Sequence, residues 1–128
     1  MGQRHERPDG AMKDLFILCE DGDLVKNLAH AVARMGYRTR SFSTLDHLSE
    51  AATQHHPMII LLDLDNATAR SELIQRAAQS MPHTPIMALS GRSFHPELAD
   101  VFARHIRVCL RKPLDMEELS FWLRSFSR

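Results

Sequence analysis

Five side chains with chemical potential stand where apolar runs stop. Asp63 closes MIILL (58–62), Glu20 and Asp21 follow DLFILC (14–19), Ser90 follows PIMAL (85–89), and Lys112 follows IRVCLR (106–111). If those ends meet, two or three carboxylates, a hydroxyl and an ammonium share one crevice. Carboxylates so crowded repel one another unless a cation sits among them, and oxygen-only ligands beside water suit Mg²⁺. A carboxylate flanked by a metal, a lysine and a hydroxyl is a site for a phosphoryl group. The two cations neutralise the equatorial oxygens, and the hydroxyl donates a hydrogen bond. Asp63 is then the nucleophile, forming an aspartyl phosphate.

The elements that must position these groups alternate along the chain. After the first apolar run, Leu24, Leu28, Val32 and Met35 recur at helical spacing, with Asp23 placed to cap and Gly36 to end the helix. YRTRSF (37–42) alternates as a half-exposed strand does, and Thr44 opens a helix to about residue 54. MIILL is the third strand. Further helices are expected from about Thr68 to Ser80, from Pro96, and from a cap at Asp115, with PIMAL and IRVCLR as strands four and five. Five strands alternating with five helices make a parallel sheet covered on both faces, a flavodoxin-like (βα)5 three-layer sandwich. Strands one, three and four are unbroken apolar runs, as central strands are; strands two and five alternate, as edge strands do. The order is therefore 2-1-3-4-5, with its switch point at the carboxyl ends of strands one and three, where open α/β sheets bind ligands.

Composition narrows the classes. The chain has 128 residues, enough for one domain with a real core. Sixteen basic and sixteen acidic residues balance, so no positive field invites nucleic acid or anionic lipid. No apolar run is long enough to span a membrane and no signal peptide is visible, so the expected location is cytoplasmic. Residues 1 to 12 are charged and aperiodic and read as a flexible lead-in. Cys19 and Cys109 lie on strands one and five, about 14 Å apart across three strand spacings, too far for a disulfide. The eight histidines show no zinc-ligand spacing and read as surface residues. Phe121 and Trp122 are adjacent on the last helix, so one of them faces outward and hints at an interface.

From residue 13 to 128 the sequence resembles the receiver domain of bacterial response regulators. FILCED matches the family's apolar strand and acidic pair, PMIILLDLD its phosphoacceptor segment, TPIMALSG its switch Ser/Thr, and LRKPLDMEEL its Lys-Pro pair. The resemblance implies a two-component phosphorelay. A histidine kinase donates to Asp63, Mg²⁺ is held by Glu20, Asp21, Asp63 and the carbonyl of Asp65, and Ser90 and Lys112 bind the phosphoryl group. It further implies self-association through the helix 4–strand 5–helix 5 face, an output domain outside this chain, and no metabolic enzyme activity. Counting back from Gly36 aligns Cys19-Glu20 with the acidic pair, whereas the end of the apolar run favours Glu20-Asp21. The usual Met-Pro and Gly after the phosphoacceptor are absent from LDNATARSEL, and Cys109 takes the place of the switch aromatic. A pseudo-receiver, which keeps the fold and binds partners without phosphorylation, is the alternative; a nucleotide-binding enzyme would need a glycine-rich loop that no strand is followed by. Between Asp63 and Asp65, both leaving the strand on one side, Asp63 is expected to be the acceptor because it directly follows the buried run.

Overall fold

The computed structural model describes residues 13–92 and 95–126; the lead-in expected over residues 1 to 12 lies outside them. Five strands, β1 (Lys13–Leu18), β2 (Tyr37–Phe42), β3 (Ile59–Asp63), β4 (Ile86–Ser90) and β5 (Ile106–Arg111), form one parallel sheet in the order β2-β1-β3-β4-β5. Both the edges and the switch point are where the strand patterns put them. Helices α1 (Gly22–Ala33), α2 (Leu45–His55), α3 (Ser71–Ser80), α4 (Ala99–Arg104) and α5 (Met116–Phe126) alternate with the strands, and a 3₁₀ turn, Pro96–Leu98, leads into α4.

Unbroken apolar strands are needed because the sheet is covered twice. Successive residues of β1 go to opposite sides: Leu15 and Ile17 pack with Leu28 and Val32 of α1 and Leu119 and Leu123 of α5. Phe16 and Leu18 pack with Leu48 of α2, Ile74 of α3 and Val101 of α4. Each such leucine, fully buried, contributes roughly 1.5–3 kcal/mol relative to exposure. At the β2 edge, Asp14 and Arg38 are cross-strand partners, their side chains joined at 2.9 Å.

The helix starts explain two departures from the expected pattern. Asp21, not Asp23, caps α1: its backbone is extended and its Oδ1 accepts the N–H groups of Asp23 and Leu24. Asp23 instead lies in the first turn, where its charge favours the helix dipole. Helix α3 begins at Ser71, three residues after Thr68, because Thr68 is engaged elsewhere. Its N–H and hydroxyl both donate to Asn66 Oδ1, and its Oγ1 accepts the N–H of Leu45. Asn66 Nδ2 in turn donates to the Ser43 carbonyl. The loop after β3 is thereby tied to the start of α2. Thr44 and Asp115 cap α2 and α5 as expected.

Candidate functional site

The carboxyl edge of the sheet brings together most of the residues read as chemical. Asp63 pairs in register with Leu89, and Ser90 with Arg111. The Lys112 N–H then donates to the Ser90 carbonyl at 2.9 Å, which carries Lys112 over the end of β3. Asp63 is buried, 6% exposed. Its Oδ1 accepts the Asp65 N–H at 2.9 Å and the Lys112 ammonium at 2.8 Å. The same ammonium lies 2.9 Å from Asp65 Oδ2, which also accepts the Gly91 N–H at 2.9 Å. Gly91 makes this approach feasible, since a Cβ there would stand 3.2 Å from that oxygen.

The charges respond accordingly. Burial favours a neutral Lys112, but the hydrogen bonds and charges of Asp63 and Asp65 outweigh it and raise the pKa. Burial likewise opposes ionisation of Asp65, and the Lys112 hydrogen bond, the Gly91 N–H and the Lys112 charge outweigh it and lower the pKa. One lysine thus serves two carboxylates.

The acids expected to complete a metal site are elsewhere. Asp21 is spent on the α1 cap, and Glu20 is exposed. The residue that reaches Asp63 from the end of β1 is Cys19, whose Sγ lies 3.4 Å from Asp63 Oδ2. Burial, assisted by the Asp63 carboxylate, pushes the Cys19 thiol up in spite of the Asp21 contact, so it is protonated and donates to Asp63. A protonated thiol is no ligand for a hard cation, which takes oxygen. Among the described residues no group of three or more His, Cys, Asp or Glu side chains could hold a metal ion. The expected set of Glu20, Asp21, Asp63 and Asp65 is therefore not assembled, and this donor set does not fit Mg²⁺.

Ser90 is at the expected strand end but is fully buried and engaged away from Asp63. Arg92 donates a side-chain hydrogen bond to His95 Nδ1 at 2.8 Å. Arginine only donates, so Nδ1 is the acceptor and the ring proton sits on Nε2. Nε2 faces Ser90 Oγ, which therefore accepts from His95 and from the Arg92 N–H and donates to the Arg92 carbonyl. His95 is buried, 7% exposed, which corrects the reading of all the histidines as surface residues. It is fixed by Ser90 and Arg92 and by the ring of Phe102. Cys109, at the position read as the switch aromatic, is part-buried and lines a groove between α4 and β5 with Phe102 and Arg111. Of the aromatic pair on α5, Phe121 faces out, 57% exposed, and Trp122 packs against the core.

Sequence reasoning missed three participants: Cys19 as a partner of Asp63, Gly91 as a donor, and His95. Counting back from Gly36 already placed Cys19 at the acidic pair, so that signal was present. Nothing in the sequence distinguished His95 from its seven counterparts.

This fold is that of response-regulator receiver domains. A receiver-domain protein from Methanospirillum hungatei superposes with a TM-score of 0.80 at 14% identity, covering 90% of this chain and 93% of that one. A response regulator from Chloroflexus aurantiacus gives 0.79 at 18% identity, over 91% and 99%. A response regulator from Burkholderia pseudomallei, solved with a phosphorylated aspartic acid and a calcium ion, gives 0.73 at 20% identity, over 84% and 64%. No curated protein matches the sequence. Within this class the chain belongs to the family of the flagellar regulatory protein FleQ, whose model matches residues 14–126.

Proposed function

We propose that this chain is a receiver-fold regulatory module that signals by protein contact, without phosphoryl transfer as an obligatory step. The observation that carries this reading is Cys19: a protonated thiol stands against Asp63 where the phosphorylation chemistry needs an acid. The only cation at Asp63 among the described residues is then Lys112. Charge on a transferring phosphoryl group would be poorly neutralised by one lysine already shared with Asp65. In this reading the domain performs no metabolic chemistry, works in the cytoplasm, and regulates an output region linked to flagellar control. Its contact surface is the face formed by α4, β5 and α5, where Phe121 is exposed and Phe102 and Cys109 line a groove. No helix among the described residues is long and apolar enough to cross a membrane.

One observation favours the second reading, in which a histidine kinase phosphorylates Asp63 with Mg²⁺. Asp63 ends β3 with the Lys112 ammonium 2.8 Å away, an arrangement that suits an acceptor carboxylate and its lysine. Intact mass separates the two readings. After incubation with Mg²⁺ and acetyl phosphate, the mass is expected to be unchanged. A gain of one phosphoryl group, lost in Asp63→Asn, would establish the second reading.

A further inference from the structure

Three elements converge on a single oxygen. Asp65 Oδ2 receives the Gly91 N–H from the end of β4 and the Lys112 ammonium from the end of β5, each at 2.9 Å. The two donors are held in place by the sheet. The Lys112 N–H to Ser90 carbonyl bond joins their strands directly, and Ser90 is anchored through His95 and Arg92. Asp65 reaches them from outside this frame, on the loop after β3. A backbone N–H and an ammonium aimed at one point, with glycine leaving the space open, make a receptor for an oxyanion.

Lys112 is the cation that the resemblance assigns to a phosphoryl group, and the Gly91 N–H is aimed at the same point; we propose that in this chain the Asp65 carboxylate is the resident occupant of that oxyanion position. The chain carries its own anion at the place where a phosphoryl oxygen would be bound. The occupant is ionised at neutral pH, since Lys112 and Gly91 lower its pKa against the effect of burial. Its side chain is 36% exposed, so the position is open to solvent ions. A free ion loses there because a carboxylate tethered two residues from Asp63 competes at a high effective concentration. The Gly91 amide, which has no side chain of its own in the way, reports directly on what fills the pocket. This inference deepens the contact-signalling reading: the position a phosphoryl oxygen would take is filled without a phosphodonor.

Inorganic phosphate is the probe, added to isotopically labelled protein with sodium chloride at matched ionic strength as the control. In wild type the Gly91 amide signal is expected to be indifferent to both salts. In Asp65→Ala it should shift saturably with phosphate and not with chloride, and adding Lys112→Met should abolish that shift. Asp65→Ser, shorter and uncharged, serves the same comparison if the alanine variant fails to fold. An unmoved Gly91 signal in the folded Asp65 variant overturns the pocket. An equal phosphate response in wild type overturns Asp65 as occupant. A mass gain from acetyl phosphate in wild type would defeat the contact-signalling reading, while the phosphate titration would still decide the pocket.

Discussion

The sulfur of Cys19 lies 3.4 Å from Oδ2 of Asp63, and it is the contact that reaches the buried carboxylate from the end of β1. It replaces a negative charge with a neutral donor. Cys19→Asp should therefore set two carboxylates against each other and destabilise the fold by about 1–3 kcal/mol in metal-free buffer. Mg²⁺ should restore much of that loss in the variant and leave wild type unchanged. Thermal unfolding with EDTA and with Mg²⁺ checks both arms; an equal Mg²⁺ response in the two proteins would contradict the assignment of Cys19.

Lys112 governs the acid limb of stability. The pKa of Asp65 is lowered in the folded state, so its contribution is present above the ordinary carboxylate value of about 3.9 and fades as pH falls through the depressed one. The pKa of Lys112 is raised, so its contribution is full below the ordinary lysine range and fades as pH climbs through the elevated one. Lys112→Met should lower stability at neutral pH and flatten the acid limb, because protonation then relieves repulsion between Asp63 and Asp65. Urea titrations from about pH 2 to about pH 7, which bracket the carboxylate range, measure this. Parallel profiles for the two proteins would show that the ion triad does not matter.

Ser90 and His95 form one buried unit. Ser90→Ala leaves the His95 Nε2–H and the Arg92 N–H without their shared acceptor and should cost about 1–3 kcal/mol. His95→Leu removes one of those donors together with the histidine. The double variant should then lose clearly less than the sum of the two single losses, which chemical denaturation of all four proteins reads out. Strict additivity would mean that the two side chains do not depend on each other.

The two aromatic neighbours on α5 should separate cleanly. Phe121→Ala is expected to change stability by no more than about 0.5 kcal/mol, as exposed substitutions do. Trp122→Ala, which loses packing on Phe126 and the core, should cost more. If the α4–β5–α5 face joins two copies, Phe121→Ala should also weaken self-association in sedimentation. Wild type that is monomeric at the highest attainable concentration would remove the homodimer.

The sheet was legible because burial on two faces leaves a plain mark. FILC and MIILL read as central strands, and the alternating YRTRSF and IRVCLR as edges. Asp63, Ser90 and Lys112 followed, because a strand end fixes where its next residue lies. What the residues next to them would bind was not legible. Whether Asp21 faces a metal or a helix start is not written in its residue type, and the helix won: its backbone N–H groups need an acceptor. Cys19 became a partner of Asp63 only through a contact across 44 residues, whereas His95 is held by Ser90 and Arg92, five and three residues before it. From the sequence, Asp65 has only a backbone-carbonyl role at the metal; its side-chain pairing with Lys112 spans 47 residues that no local pattern records.

The ties from Asn66 and Thr68 to Ser43 and Leu45 have a consequence for time. A loop at a ligand crevice ordinarily opens and closes on its own, ahead of the elements around it. Here the Leu45 N–H ends on Thr68, so releasing the loop that carries Asp65 also frees the first amide of α2. The two should exchange hydrogen with deuterium as one cooperative unit rather than as a fast loop beside a slow helix. Any partner that grips the start of α2 would then slow the departure of Asp65 from Lys112, and the crevice would keep a record of that contact for as long as the helix end stays closed.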